Sequence, residues 1–571
     1  MKHFKEYLKK FICTLVLTGL FAFMLFAFLP AEILYANTNE LPFVFGEYGY
    51  YLIEVGLISV VILSVLLALL PGSILRWILA VIFSIDLGAY VQNMFLNKGL
   101  DLMGANPDGY IPSNSEKITN LLIWILILII TIVVEILSKK KPAIVYLAVF
   151  LFAIQILAYV SIFVKADDGF YRYPETEYHL SGYEQYTVSS KGNIILFIVD
   201  CFSDRDLKNA LAVKPEAIDE FSDFVFYTND DACYFGTFPS LNHILTNNPY
   251  DFDQKVNDWT RQIWNSDKCN YFYDNMKELG YERNLYTSEI SILCGSNPCE
   301  DLLKGKWDNL TNEPLERDTD KDAIRKLMLK MSAYRLAPKL LKNRFYPALS
   351  EYTDTVRVVN DPIMFENYDY FDGFKEKGLS VKDDSKMFIV QHIMGTHVFE
   401  NDEFGNYKEG AGYEETTLGC MYVLKSYLAE LKRLGVYDES TIIITADHGW
   451  EYGQQPVFFI KEEYRESNEL EENDAPISHK ELLPTIAELA GMDSSVIGDT
   501  IYDYQPGQKR ERTLYFRDYR EEYPDVLYYD GSKNGTSNVY VGYTYTGDED
   551  DLLNYIFDKP SCVVPIADSY H

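Results

Sequence analysis

Residues Phe11 to Pro30 carry no charged side chain, and about 20 apolar residues are enough for a helix to cross a bilayer. Four more stretches are long and apolar enough to do the same: Tyr51 to Leu70, Trp77 to Phe95, Ile118 to Leu137 and Ala143 to Val164. In lipid every backbone N–H and C=O must be satisfied within the segment, so each stretch is expected to be a helix. Residues 1–165 therefore read as a five-helix transmembrane domain. Lys2, Lys5, Lys9 and Lys10 precede the first span, Arg76 lies between the second and third, and Lys139, Lys140 and Lys141 lie between the fourth and fifth. The opposite loops hold only Lys98 and Lys117. By the positive-inside bias the N-terminus is cytoplasmic, and five crossings put everything after Val164 outside a multi-pass cell-membrane protein. The length of the first span, and the absence of a clear small-x-small cleavage site, argue against a removable signal peptide. Asp86, in the middle of the third span, reads as a carboxyl facing other helices rather than a proton relay.

Charge divides the chain at the same place. Residues 1–165 hold 11 Lys plus Arg against 10 Asp plus Glu, while the rest hold 40 against 74. A domain with that excess of negative charge repels nucleic acid and anionic surfaces, which excludes a nucleic-acid-binding role. The eight cysteines in 571 residues do not make a disulfide scaffold. Cys294 and Cys299 could close a small loop, and with no second pair nearby a zinc knuckle is not expected. The others, Cys201 among them, read as small buried residues.

Residues 166–190 are polar and Tyr-rich without periodicity, suggesting a linker. From residue 191 onward short uncharged runs recur at Asn193 to Val199, Met387 to Gln391, Thr441 to Thr445 and Pro456 to Ile460, separated by helical spacing such as Leu424 to Leu434. Buried strands alternating with helices predict a mostly parallel sheet covered on both faces, within one large α/β domain over 191–571.

In open α/β sheets, sites form beyond the carboxyl ends of the strands. Those ends carry Asp200, Asp447 with His448, and His392 followed closely by His397. Two carboxylates and imidazole converging on one edge suit a divalent metal. The segment Gly236-Thr237-Phe238-Pro239-Ser240-Leu241 offers a hydroxyl where a loop enters a helix. A bound cation lowers the pKa of such a hydroxyl and so activates it as a nucleophile. On these six residues alone, a Ser/Thr helix cap with Pro nearby is the preferred reading.

Together the motifs resemble the alkaline phosphatase superfamily, and within it the membrane-anchored, sulfatase-like phosphoglycerol and phosphoethanolamine transferases, of which lipoteichoic acid synthases are one kind. Asn193 to Asp200 is similar to the family's first strand with its metal-binding acid. Thr237-Phe-Pro-Ser240 falls where sulfatases carry Cys-x-Pro-Ser-Arg and the transferases a catalytic Thr. Thr445-Ala-Asp-His-Gly449 resembles the Asp-His-Gly metal motif, His392-Ile-Met-Gly-Thr-His397 a paired-histidine stretch, and Ser478 to Thr485 the late helix. The resemblance spans residues 191 to about 492.

That resemblance implies an extracellular alkaline-phosphatase/sulfatase-like domain with Asp200, Thr237, Asp447 and His448 around one divalent metal, Mn²⁺ before Zn²⁺ or Mg²⁺. Thr237 is also the implied nucleophile, and His397 meets the phosphate or protonates the leaving group. Departures narrow it. Threonine cannot become formylglycine and Leu241 replaces the sulfatase Arg, which argues against sulfate-ester hydrolysis. Ile393 stands where a second-metal Asp-x-x-x-His pair would need its acid, and Trp450 to Pro456 lacks the His that phosphoethanolamine enzymes carry. His479 reads as part of a packed helix start rather than a ligand, and His243 as either a substrate contact or a helix residue.

The expected activity is transfer of a phosphoglycerol or phosphoethanolamine head group from a membrane phospholipid, through a phosphothreonine, to a cell-surface glycan or glycolipid. A metal-dependent phosphodiesterase or phosphatase, and a non-catalytic membrane binding protein, are the alternatives. A near-complete Asp200, Thr237, Asp447, His448 set argues against the last.

Overall fold

The computed structural model describes residues 2–38, 41–97, 112–138, 143–173, 178–288, 290–348, 350–353, 355–449, 455–518, 539–547 and 561–565. Lys98, Lys139, Lys140, Lys141, Trp450 and His571 lie outside the described residues. The chain divides into two units, residues 1–176 with 314–360, and residues 177–313 with 361–571.

Among the described residues the first unit holds five helices long and apolar enough to cross a membrane: α1 (His3–Ala36), α2 (Gly49–Ala68), α3 (Gly72–Leu96), α4 (Asn114–Leu137) and α5 (Ala143–Lys165). Bare apolar surface gives no reason for such helices to associate within lipid, so polar contacts and close packing must hold them. The Thr18 hydroxyl on α1 meets that of Ser64 on α2 at 2.9 Å, and Thr14 donates to the Ser64 carbonyl at 3.2 Å. Arg76 at the start of α3 pairs with Glu135 near the end of α4. Asp86 is fully buried, as expected of a carboxyl facing other helices.

Residues 314–360 fall inside the stretch 191–571, yet they group with the membrane helices. They are closed off by antiparallel pairing of Arg317–Thr319 with Val356–Val358. Between these strands lies a helix, Lys321–Leu336, capped by the Asp320 side chain. Its apolar face, Ile324, Leu327, Met328 and Met331, recurs at helical spacing and joins one hydrophobic cluster with Met24, Leu29, Phe43 and Phe45.

The second unit is built on a seven-stranded sheet. Its strands are β1 (Asn193–Val199), β2 (Val225–Tyr227), β3 (Tyr281–Tyr286), β4 (Lys386–Ile393), β5 (Ser440–Thr445), β6 (Phe458–Lys461) and β7 (Glu471–Asn473). They lie side by side in the order β7-β2-β6-β5-β1-β4-β3. The four strands β5, β1, β4 and β3 run parallel, whereas β6 is antiparallel to both its neighbours. Every residue of β1 is buried. Ile194, Leu196 and Ile198 enter one core and Ile195, Phe197 and Val199 the other, which is why the strand reads as an unbroken apolar run. The helix Tyr413–Leu434 covers the second of these faces, starting beside the Glu415 side chain and ending at Gly435 with φ 72°. A smaller four-stranded sheet ends in the short strand Tyr234–Phe235, which delivers the chain to Thr237.

A candidate metal centre at the strand ends

Register fixes the site. Ile198 on β1 lies opposite Thr445 on β5 and His392 on β4, so three central strands end almost level. Asp200 and Asp447 stand just beyond those ends and His392 on the last pleat of β4, all buried, with one ligand atom from each within 4.8 Å of the others. A second overlapping group, Asp200, Cys201 and His448, meets the same criterion.

Each side chain is held by local chemistry. Asp447 Oδ1 accepts from the Cys201 N–H at 3.2 Å and the His448 N–H at 2.9 Å. Its Oδ2 is buried without a hydrogen-bond partner. Burial would raise the Asp447 pKa, but His448, His392, the Thr237 side chain and the Cys201 N–H outweigh it and hold the carboxyl below its usual range. His448 Nδ1 lies 2.8 Å from the Gly449 carbonyl and donates to it, leaving Nε2 as the basic nitrogen facing Asp447 Oδ2 at 3.4 Å and Asp200 Oδ1 at 3.8 Å. His392, on β4, completes the group. Its Nδ1 meets the Thr287 hydroxyl at 2.9 Å, and Nε2 has no hydrogen-bond partner.

Two buried carboxylates and two imidazoles, packed this closely, fit a divalent cation: without one, like charges would be buried together at considerable cost. Asp200, Asp447, His448 and His392 would supply the oxygen and nitrogen donors, and Thr237 would add a hydroxyl.

Thr237 is the first residue of a ten-residue helix, Thr237–Thr246. The preceding Gly236 adopts φ 130°, a conformation that glycine tolerates and other residues rarely reach. This turn brings Thr237 within reach of Asp447, whose anionic form it stabilises. The first amides of the helix have no intrahelical acceptor and favour a negative ligand. His397 is exposed, and its imidazole is electrostatically coupled to Asp447 and His448.

The structure thus brings Asp200, Thr237, Asp447 and His448 together, with His397 close by. His243 and His479 serve elsewhere. His243 is buried, bonds the Asn248 carbonyl at 2.9 Å and packs edge-on against Tyr234. His479 sits in the turn before Leu482–Leu489, 3.2 Å from the Thr445 hydroxyl and 3.5 Å from Asp230. Cys294 and Cys299 are free thiols that hydrogen-bond each other. Two residues gain weight over the sequence reading. His392, read there as a strand-end imidazole and part of a paired-histidine stretch but left out of the implied ligand set, joins the carboxylates. Cys201, read as a filler, sits with its sulfur 3.8 Å from His448 Nδ1 and takes φ 61°. Burial, followed by the charges of Asp200 and Asp447, pushes its thiol pKa well up. Its position directly after the strand-end acid was the available signal.

Parallel strands ending level at a cluster of acids and imidazoles, with a hydroxyl at a helix start alongside, make this an α/β domain with a candidate metal site at its strand ends. Residues 192–492 match the sulfatase family profile, more than half of the chain, and the protein belongs to that family. A search of curated proteins finds no match. Among solved structures, the chain is similar to the phosphonate monoester hydrolase SpPMH from Silicibacter pomeroyi, with 16% identity, 63% of this chain and 87% of that one covered, and a TM-score of 0.36. It is similar also to the lipoteichoic acid synthase LtaP from Listeria monocytogenes, with 10% identity, coverage of 65% and 86%, and a TM-score of 0.35. A protein of the alkaline phosphatase superfamily from Vibrio parahaemolyticus gives 12%, coverage of 67% and 89%, and 0.34.

Gly395 shows how closely the site is packed. It has φ 59°, and a β-carbon there would lie 2.2 Å from the Asp200 carbonyl oxygen and 2.5 Å from its nitrogen. Asn367 holds this turn in place, accepting from the Gly395 N–H at 2.8 Å and donating to its carbonyl. Gly395→Ala is expected to displace Asp200 and weaken metal binding about 10–100-fold, the range seen when support around a ligand is lost. Metal titration followed by calorimetry checks this, and unchanged affinity would refute the packing argument.

Proposed function

We propose that this protein is a membrane-anchored phosphotransferase that moves a phospho-alcohol head group, phosphoglycerol or phosphoethanolamine, from a membrane phospholipid to a glycan or glycolipid. The observation that carries the reading is the placement of Thr237, a hydroxyl at a helix start beside Asp447, in a chain that also carries five membrane-spanning helices. The catalytic domain follows the 166–190 linker and stands outside the cell, the basic loops lying in the cytoplasm.

Asp200, Thr237, Asp447 and His448, with His392 beside them, would hold one divalent metal, Mn²⁺ before Zn²⁺ or Mg²⁺. Such a cation supplies positive charge that lowers the pKa of a bound hydroxyl and offsets charge on phosphoryl oxygens. Thr237 Oγ1, its proton already released to solvent, attacks phosphorus. The bond to the diacylglycerol oxygen breaks, and His397 gives that oxygen its proton. The phosphothreonine diester so formed is then attacked by an acceptor hydroxyl, which returns a proton to His397 as the bond to Thr237 breaks. Splitting one displacement into two is the gain of covalent catalysis. The amides at the start of the Thr237–Thr246 helix face the anionic phosphoryl group throughout.

Incubating the purified chain with head-group-labelled phosphatidylglycerol or phosphatidylethanolamine and digesting it for mass spectrometry is expected to place the label on the peptide containing Thr237. Thr237→Ala should remove the adduct and lower turnover by about 10³-fold or more. Label released only to water, with no adduct, would leave a phosphodiesterase. No turnover and wild-type phenotype in Thr237→Ala cells would leave a non-catalytic binding protein. Protease added to intact cells should cut the domain after residue 166; complete protection would overturn the orientation.

A further inference from the structure

The first unit contains a feature that the chemistry at the strand ends does not use. Between α1, α3 and α5 lies a narrow crevice of about 60 Å³, closed at one end by Leu336 of the Lys321–Leu336 helix and continuous with the open flank of the bundle. Its walls are apolar, with Phe28, Met94, Ile154 and Ala158 among them, and two amides, Asn93 and Gln155, face the same space. Met94 and Ile154 are 47% and 39% exposed, so the crevice opens toward the flank of the bundle, which in a membrane is lipid.

Gln155 is the odd residue. It sits in the middle of α5, only 2% exposed, and neither its amide oxygen nor its nitrogen has a hydrogen-bond partner among the described residues. An unpaired amide in hydrocarbon is costly, and polar groups inside membrane spans mark functional sites. At the rim, Arg335 donates to Asn93 Oδ1 at 3.0 Å and faces Glu32 at 3.2 Å. Asn97 grips the Arg335 carbonyl at 2.8 Å. The guanidinium is thereby held beside a crevice-lining amide, at the end of the bundle from which the chain leaves the membrane after Lys165.

Apolar walls open to lipid, one unpaired amide, Gln155, within, and the guanidinium of Arg335 held by Asn93 and Glu32 near the same end match one class of molecule from tail to head. We infer that the crevice binds an anionic glycerophospholipid, one acyl chain along Phe28, Ile154 and Ala158, an ester group at Gln155, and the phosphodiester at Arg335. The inference rests on the proposed function in one respect, that such a lipid is the donor; binding itself does not require turnover. Residues 314–360 then have a role, because they bring the arginine and the closing Leu336 to the membrane helices.

The test uses the full chain carrying Thr237→Ala, so that bound lipid is not consumed. A phosphatidylglycerol bearing a photoreactive group on its acyl chain is incorporated into phosphatidylcholine vesicles with the protein, and cross-linked peptides are read by mass spectrometry. The label is expected on peptides containing Met94 and Ala158, and at least ten times less of it on α2. Gln155→Leu and Ala158→Trp should each lower phosphatidylglycerol retained in native mass spectra about ten-fold, with the melting temperature as the check on folding. Arg335→Gln should reduce the preference for phosphatidylglycerol over phosphatidylcholine. Cross-links spread evenly over the five helices would overturn the inference whatever the variants do, as would full retention of lipid in both crevice variants. Equal binding of phosphatidylcholine would overturn the anionic assignment. Head-group transfer by Thr237 is judged separately, by the adduct on the wild-type chain.

Discussion

The burial of two carboxylates beside one another is the constraint on which the catalytic unit turns. Asp200 and Asp447 are 5% and 0% exposed, and their oxygens belong to one group spanning no more than 4.8 Å. Such a pair is stable only if something positive lies between them. The rest of the unit answers that requirement. Parallel pairing of β5, β1 and β4 makes the strand ends level. Backbone amides of Cys201 and His448 satisfy one oxygen of Asp447, the Gly449 carbonyl sets the His448 tautomer so that its basic nitrogen faces inward, and the Thr287 hydroxyl holds the His392 ring in place.

In the membrane unit the same economy of polar groups appears in a different solvent. Hydrocarbon gives apolar helices no reason to associate, so Thr14, Thr18 and Ser64 join two of them and Arg76 with Glu135 joins two more. The 314–360 segment adds polar contacts of its own, Arg335 to Asn93 and Glu32, and Lys339 through its backbone to Asn120. A segment inserted in the sequence of one unit thus completes the packing of the other.

Much of this was legible in the sequence, for identifiable reasons. Membrane spans and doubly buried strands both appear as uninterrupted apolar runs, and the residue ending such a run is the one that faces a strand-end site; Asp200, His392 and Asp447 were found that way. Direction is not written in an apolar run, so nothing marked β6 as antiparallel. Nor does a run name its partner. Ile324, Leu327, Met328 and Met331 show an amphipathic helix, but only the fold reveals that its apolar face meets Met24 and Leu29. Thr287 orients His392 across 105 positions of sequence, a relation no local pattern carries. Cys201 is the small buried residue that the sequence suggested, but nothing local showed that its sulfur would lie 3.8 Å from His448 Nδ1.

The central claim is that Asp200, Thr237, Asp447 and His448 form one metal centre. Anomalous diffraction from crystals grown with Mn²⁺, paired with elemental analysis of the same protein, tests it most directly. One anomalous peak in contact with all four residues, and one metal per chain that is lost in Asp447→Asn, is the result predicted here. Two peaks at the strand ends, or a metal-free site that still supports turnover, would contradict the account.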